Sequence, residues 1–367
     1  MAFDTGSMTF RVFEVAGKIG ESSLKGFAAN AIPPIETLLS EPISGWVGPR
    51  HLLDREISKA TALLGNYLHL ATVKAERRIP AALLRAQCKM QEIALMKERG
   101  TPFLNQNERR AIKDAVREAL LPTMPPTLTG TPCVVRLTDG FCAAQAMSDN
   151  RLDALAAAFK RATGAELVQW TPELAADRLA GVDAGELMPA CFAPDSSPDV
   201  KTSPGLGSEF LTWLWYTSDV HHGIMPTTGR GEYALALEGP LVFVVEGDGA
   251  RTASLRDGNP LESAEAKTAL YAGKKLRSAK LSLAQGDKLW TCTLDALDFS
   301  FRGLKPPKGE GVTPAEIFQD RMEALKEFLD VFWDLYAGFM KLRANGKKWL
   351  KEQREVQDWV AARAAKA

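Results

Sequence analysis

The chain has 367 residues, 40.0 kDa, 46% hydrophobic and 25% charged residues, and 45 basic side chains balanced by 45 acidic ones. That balance excludes a disordered chain, a collagen or coiled-coil repeat and a uniformly basic histone-like protein. No apolar run is long enough to span a bilayer, and MAFDTGSMTF lacks a basic segment followed by an apolar one, so a cytoplasmic protein is expected.

Thr9–Val15 (TFRVFEV) alternates and predicts a strand; Glu21–Asn30 predicts a short helix closed by Pro33-Pro34. Ser44–Pro49 reads as a loop anchored by Trp46. Tyr67–Lys74 predicts a strand that leaves through a turn at Glu76–Arg78. Pro80 opens a helix running to Arg99, where Gly100 and Pro102 stop it. Asn105 and Glu108 have the spacing of a capping box, which starts a second helix ending near Leu121. Thr123–Pro132 reads as a loop, Cys133–Ala146 as a hairpin turning at Asp139-Gly140, and Asn150–Thr163 as an amphipathic helix.

Between Glu173 and Gly207 no period holds, and PDSSPDVKTSPGLGS reads as a linker. Glu209–Tyr216 (EFLTWLWY) is the most aromatic stretch and reads as buried core. Tyr233–Val245 predicts a hairpin broken at Gly239-Pro240, and Lys274–Leu283 with Lys288–Leu294 a second one turning at Gln285–Asp287. From Pro314 to Leu342 a long helix carries Phe318, Met322, Leu325, Leu329, Phe332, Tyr336 and Phe339 on one stripe; a basic helical tail follows from Lys347. The regions divide as 1–172, 173–262 and 263–367. The five cysteines are scattered and read as reduced thiols. A two-residue turn would pair Leu137 with Cys142 and Cys133 with Ala146, so no disulfide is expected there.

The zero net charge hides segregation. Lys74–Arg117 holds eleven basic and five acidic residues, Glu118–Pro260 nine and eighteen, and Lys267–Lys308 nine and three. Such blocks suit a protein with one basic surface. In the first basic block Lys74, Arg77 and Arg78 leave the strand. Arg85 and Lys89 share a face of the first helix. Arg109, Lys113 and Arg117 fall at i, i+4 and i+8 of the second, with Arg110 beside them. Cations on one row repel weakly, and a phosphate backbone would offset that by releasing counterions. An ordinary solvated helix face is the competing account. Lys274, Lys275, Arg277 and Lys280 form a second cluster.

No nucleotide-binding, metalloprotease or serine-hydrolase motif is present, and no catalytic residue, metal or cofactor is expected. His221-His222 lacks ligand partners at metal spacing, and Asp199-Val200-Lys201 sits in the Ser/Pro-rich stretch. Two alternatives stay open: a Mg-dependent nuclease using Glu246 and Asp248, and an interaction scaffold using EFLTWLWY.

The order of TFRVFEV, the GWVGP loop, LATVKAERRIP, REALLP, TPCVVRLTDGFCAAQA and AGKKLRSAKLSLAQGDKLWTCTL resembles the recombination-associated RdgC family over roughly Thr9–Pro172 and Ala272–Leu342. The sequence departs from that pattern in a longer region from about Ala175 to Gly258, in TMPPTLTG after REALLP, and in the basic tail. The resemblance implies an α+β fold of mixed antiparallel sheets with long helices and a homodimer closed as a ring around DNA. It also implies sequence-independent binding, association with the nucleoid, and restraint of RecA-type strand exchange. The residues expected at the DNA surface are the thirteen cations named above.

Overall fold

The computed structural model describes residues 3–194, 205–225, 229–245, 252–257 and 260–365. Asp199-Val200-Lys201, Glu246 and Asp248 lie outside them. The chain opens with β1 (Met8–Ala16), α1 (Ser23–Ala29), β2 (Ile43–Val47), α2 (Lys59–Ala62), β3 (Leu63–Leu64) and β4 (Tyr67–Arg77). A helical pair follows, α3 (Ala81–Arg99) and α4 (Gln106–Leu120). Then come β5 (Pro126–Arg136), β6 (Phe141–Ala144), α5 (Asp149–Thr163), β7 (Glu166–Gln169) and α6 (Pro172–Ala180). After the undescribed stretch come α7 (Leu206–Val220), β8 (Ile224–Met225), β9 (Tyr233–Val244), β10 (Ala253–Leu255) and α8 (Ala264–Tyr271). The chain closes with β11 (Lys275–Gln285), β12 (Lys288–Asp295), β13 (Ser300–Lys305), α9 (Pro314–Ala344) and α10 (Gly346–Ala365).

The fold is mixed α/β around one large antiparallel sheet in the order β10-β9-β11-β12-β13-β1-β6-β5-β4-β2, with strands from all three sequence regions. β1 is the seam. Its start pairs with β13 (Met8 with Leu304, Phe10 with Phe301), and its continuation pairs with β6 and β7 (Arg11 with Ala144, Phe13 with Gln169).

The long helix keeps the stripe that its spacing predicts: Phe318, Met322, Leu325, Leu329, Phe332, Tyr336 and Phe339 are all buried. Thr313 and Glu316 form a capping box that fixes where α9 starts. EFLTWLWY lies in α7, whose residues Leu206–Thr217 are buried on every side against β11, β9 and α10. It is core and offers no docking surface. Gly207 lets α7 lie against the chain at Ala296: a Cβ there would stand 1.7 Å from that carbonyl oxygen.

Several segments differ from the sequence reading. Ser44–Pro49 is mostly strand. Gly45 serves close approach, since a Cβ would sit 2.4 Å from the Ile32 backbone, and Trp46 exchanges bonds with that crossing segment (Trp46 N to Asn30 O and Ile32 N to Trp46 O, each 2.9 Å). β4 continues through the expected turn to Arg77, because β5 starts at Pro126, inside the expected loop, and pairs with it throughout. Pro132 fits because its carbonyl accepts from Gln145 N; its missing N–H faces the same side, where β6 has ended.

β6 pairs two residues out of the expected register, Cys133 with Ala144 and Val135 with Cys142. Asp139 is the cause: it accepts from Phe141 N (3.2 Å) and Arg136 (2.8 and 2.6 Å) and holds a wider loop. Both thiols are free. β9 is one strand, not a hairpin; from Glu238 to Val242 it advances four residues while β11 advances two, so the Gly239-Pro240 break is a bulge. Pro172–Ala180, which the sequence reads as irregular from Glu173 on, is a helix capped by Thr171.

Candidate nucleic-acid interface

The helical pair α3–α4 is an arm. α3 buries no residue and α4 buries only Val116, and α3 packs substantially on α4 alone. Its ends are set as the sequence predicts. Gly100 is left-handed at the end of α3. Asn105 Oδ1 accepts from Glu108 N (3.0 Å), while Glu108 accepts from Asn105 N (2.8 Å). The phase of α4 is therefore fixed. Val116, with Ile112 and Leu120 half-buried, turns to α3, whereas Ala119 is exposed.

Arg109, Lys113 and Arg117 all stand exposed on α4, and none has an ion-pair partner among the described residues. Arg85 on α3 is likewise exposed and unpaired. Lys89 reaches Glu92 (3.4 Å), Arg110 only approaches Asp114 (4.0 Å), and Arg99 ties the arm's tip to Glu108. Exposed pairs of this kind contribute about 0–1 kcal/mol and exchange readily for other anions. The arm also exposes Met90 (63%), Ile93 (52%) and Phe103 (71%).

At the root of the arm the three cations diverge. Arg77 is half-buried and donates to the Leu38 carbonyl (3.3 Å) and to that of Met124, so it fastens the arm to the sheet. Lys74 (2.8 Å) and Arg78 both bind Glu76, Lys74 foremost, and together they hold its carboxyl below the usual range. Lys74 and Arg78 line a groove of about 700 Å³ between the β2–β4–β5 sheet and α5; Arg151 and Arg161 of α5 line its other side. Those two arginines escape a sequence reading because they lie within the acidic block Glu118–Pro260, with Asp149 and Asp153 flanking Arg151. Their shared helix face, at i, i+3, i+7 and i+10 with Ala154 and Ala158, was the available signal.

The β11 cluster is different from the expectation. Lys275 is buried (7% exposed) and binds Glu209 (3.1 Å), so it is not at a DNA surface. Arg277 binds Asp295 through two bonds of 3.2 Å, and Lys280 binds Glu238 (2.6 Å); Lys274 is half-buried. Glu209, the first residue of EFLTWLWY, is fully buried and also receives Arg343 (2.8 Å) and Ala190 N (2.6 Å).

Among the described residues no group of three His, Cys, Asp or Glu side chains is placed to hold a metal ion, and no helix is long and apolar enough to cross a membrane.

A family model described as "Putative exonuclease, RdgC" matches residues 25–176, which include the whole arm and the groove; Ala272–Leu342 lies outside the match. No curated protein matches the chain. The RdgC family implies a recombination-associated DNA-binding protein. The motifs in their order, and the match across the arm and groove, support an RdgC-family protein.

Proposed function

We propose that the protein binds DNA without reading its sequence and limits RecA-type strand exchange by occupying the DNA as a nucleoid-associated homodimer that encircles it. The observation that carries the DNA contact is the unpaired row Arg109, Lys113, Arg117 on a helix whose phase is fixed by its cap. Such cations bind phosphates and position a duplex without sequence information. With them we place Arg85, Lys89 and Arg110 on the arm and Lys74 and Arg78 at its root. Met90, Ile93 and Phe103 support a second copy as partner, since apolar side chains exposed together on an arm gain by mutual burial.

The arm offers cations, which suits phosphate contacts; the nuclease alternative rests on Glu246 and Asp248, outside the described residues. The test is the triple variant Arg109→Gln/Lys113→Gln/Arg117→Gln. It should melt like the parent, because exposed substitutions fall within about 0.5 kcal/mol each. On duplex DNA the slope of log affinity against log salt should drop by about 0.9 for each phosphate that is no longer neutralised, up to roughly 2.7. An unchanged slope would make the row an ordinary solvated face and overturn the assignment.

A further inference from the structure

We infer that the groove between α5 and the polar end of the sheet is a binding site for the phosphodiester backbone of a single nucleic-acid strand, an inference that rests on the DNA-binding reading and adds to it a second site that shares only Lys74 and Arg78 with the arm surface.

The floor follows from strand alternation. Along one face of β4, Leu68 and Leu70 are buried under α5 and α1, and the same face continues as Thr72, Lys74 and Glu76. β5 sets Thr131 opposite Thr72 and Thr129 opposite Lys74, and β2 sets Ser44 on the other side of Lys74. Where α5 no longer covers the sheet, the core face thus becomes a bed of hydroxyls. Hydroxyls, with Arg and Lys, are the side chains that hold phosphate oxygens.

The walls supply the charge. Lys74 and Arg78 stand on the sheet side, and Arg151 and Arg161 on the helix side, against Glu76 as the single acid of the lining. Glu76 is held ionised by Lys74 and Arg78, so the five groups sum to three positive charges. Arg151 and Arg161 are exposed and have no ion pair among the described residues. Between them α5 presents Ala154 and Ala157 to the groove, and Gly45 lies in it, which leaves the middle of the channel open.

Size selects the ligand. A groove of about 700 Å³ is of the order of a small-molecule site and excludes a duplex. A single strand can lay its backbone along it. A free nucleotide shares the same chemistry and is a separate arm of the test.

The decisive variant is Arg151→Gln/Arg161→Gln, measured beside the arm triple variant. The probes are labelled oligo-dT, a blunt hairpin duplex, and thymidine monophosphate as competitor. For the groove variant we expect an unchanged melting temperature, unchanged duplex binding, and weaker oligo-dT binding whose salt slope is lower by about 0.7 for each phosphate given up, roughly 1.4 in all. If the groove variant binds oligo-dT as the parent does, with the same slope, this site is refuted while the arm reading stands. Equal losses on oligo-dT and duplex would also refute it, since the groove would then be part of one common surface. Monophosphate displacing oligo-dT at matched phosphate concentration would overturn the strand in favour of a nucleotide pocket. A parent that binds neither probe defeats the DNA-binding reading itself.

Discussion

Replacing Glu209 by glutamine should unfold the protein more readily than any single change on its surface. Glu209 is fully buried between Lys275 on β11 and Arg343 at the end of α9. It receives 3.1 Å from the first, 3.0 and 2.8 Å from the second, and 2.6 Å from Ala190 N. The cluster joins α7, β11, α9 and the chain at Met188–Ala190, where Arg343 also donates to the Met188 carbonyl (2.8 Å). Glutamine keeps the shape and removes the negative charge that Lys275 and Arg343 share, at side chains only 9% and 3% exposed. Breaking a buried pair by removing one partner costs about 3–5 kcal/mol. With a urea slope of about 3 kcal/mol per molar, the unfolding midpoint should fall by roughly 1–1.7 M. The shift should persist in high salt, because buried charges are screened far less than exposed ones. Circular dichroism in urea at low and high sodium chloride measures both. A midpoint within about 0.2 M of the parent would refute the argument that the cluster is a structural clamp. The triple replacement Glu209→Leu/Lys275→Met/Arg343→Met should recover most of the stability, since it removes the three buried ions together.

Acid should also destabilise the fold through His69. Its ring is fully buried, stacked on Phe318 at 5.0 Å, and burial pushes its pKa from 6.5 down to about 4 against the pull of Asp4. Between those values the unfolded chain binds more protons than the folded one, so stability falls as pH is lowered. The drop should reach about 2 kcal/mol at pH 5 relative to pH 7, and His69→Phe should flatten it in urea titrations. A thiol reagent at neutral pH should modify Cys88 and Cys191 in the native protein and all five cysteines after unfolding. Burial pushes the Cys133 and Cys292 thiols up to about 12 and the Cys142 thiol well above its ordinary value. Rapid native labelling of Cys292 would contradict the packing of β12 beneath α9.

Elements with strong local signals were legible in the sequence. The capping box at Asn105, the stop at Gly100 and the apolar stripe of α9 each depend on residues within a few positions of one another. The misread elements depend on distant partners. Gly45 and Pro132 look like loop residues until Ile32 crosses one and Gln145 meets the other. Gly239-Pro240 looks like a turn until β11 pairs with both sides of it. In each case a long-range ladder overrides a local breaker, and nothing nearby in the sequence encodes that ladder.

The same distinction decides which cations are free. Lys275, Arg277 and Lys280 look like a basic cluster along the chain. On a strand, however, side chains alternate between faces, and each position has neighbours on two flanking strands. β12 therefore sets Asp295 against Arg277, β9 sets Glu238 against Lys280, and the inward face delivers Lys275 to Glu209. A helix of a projecting arm has no flanking strands. Acids that reach its cations come from its own turns or from the one helix it packs on. Along α4 the i−4 and i+4 positions around Arg109, Lys113 and Arg117 hold Asn105, the next cation of the row, or Leu121. The row on α4 is unpaired for a reason written in the sequence, whereas the charge on the sheet is paired by a topology that is not. Basic residues on capped, amphipathic helices are thus better evidence of a polyanion surface than equally dense runs on strands.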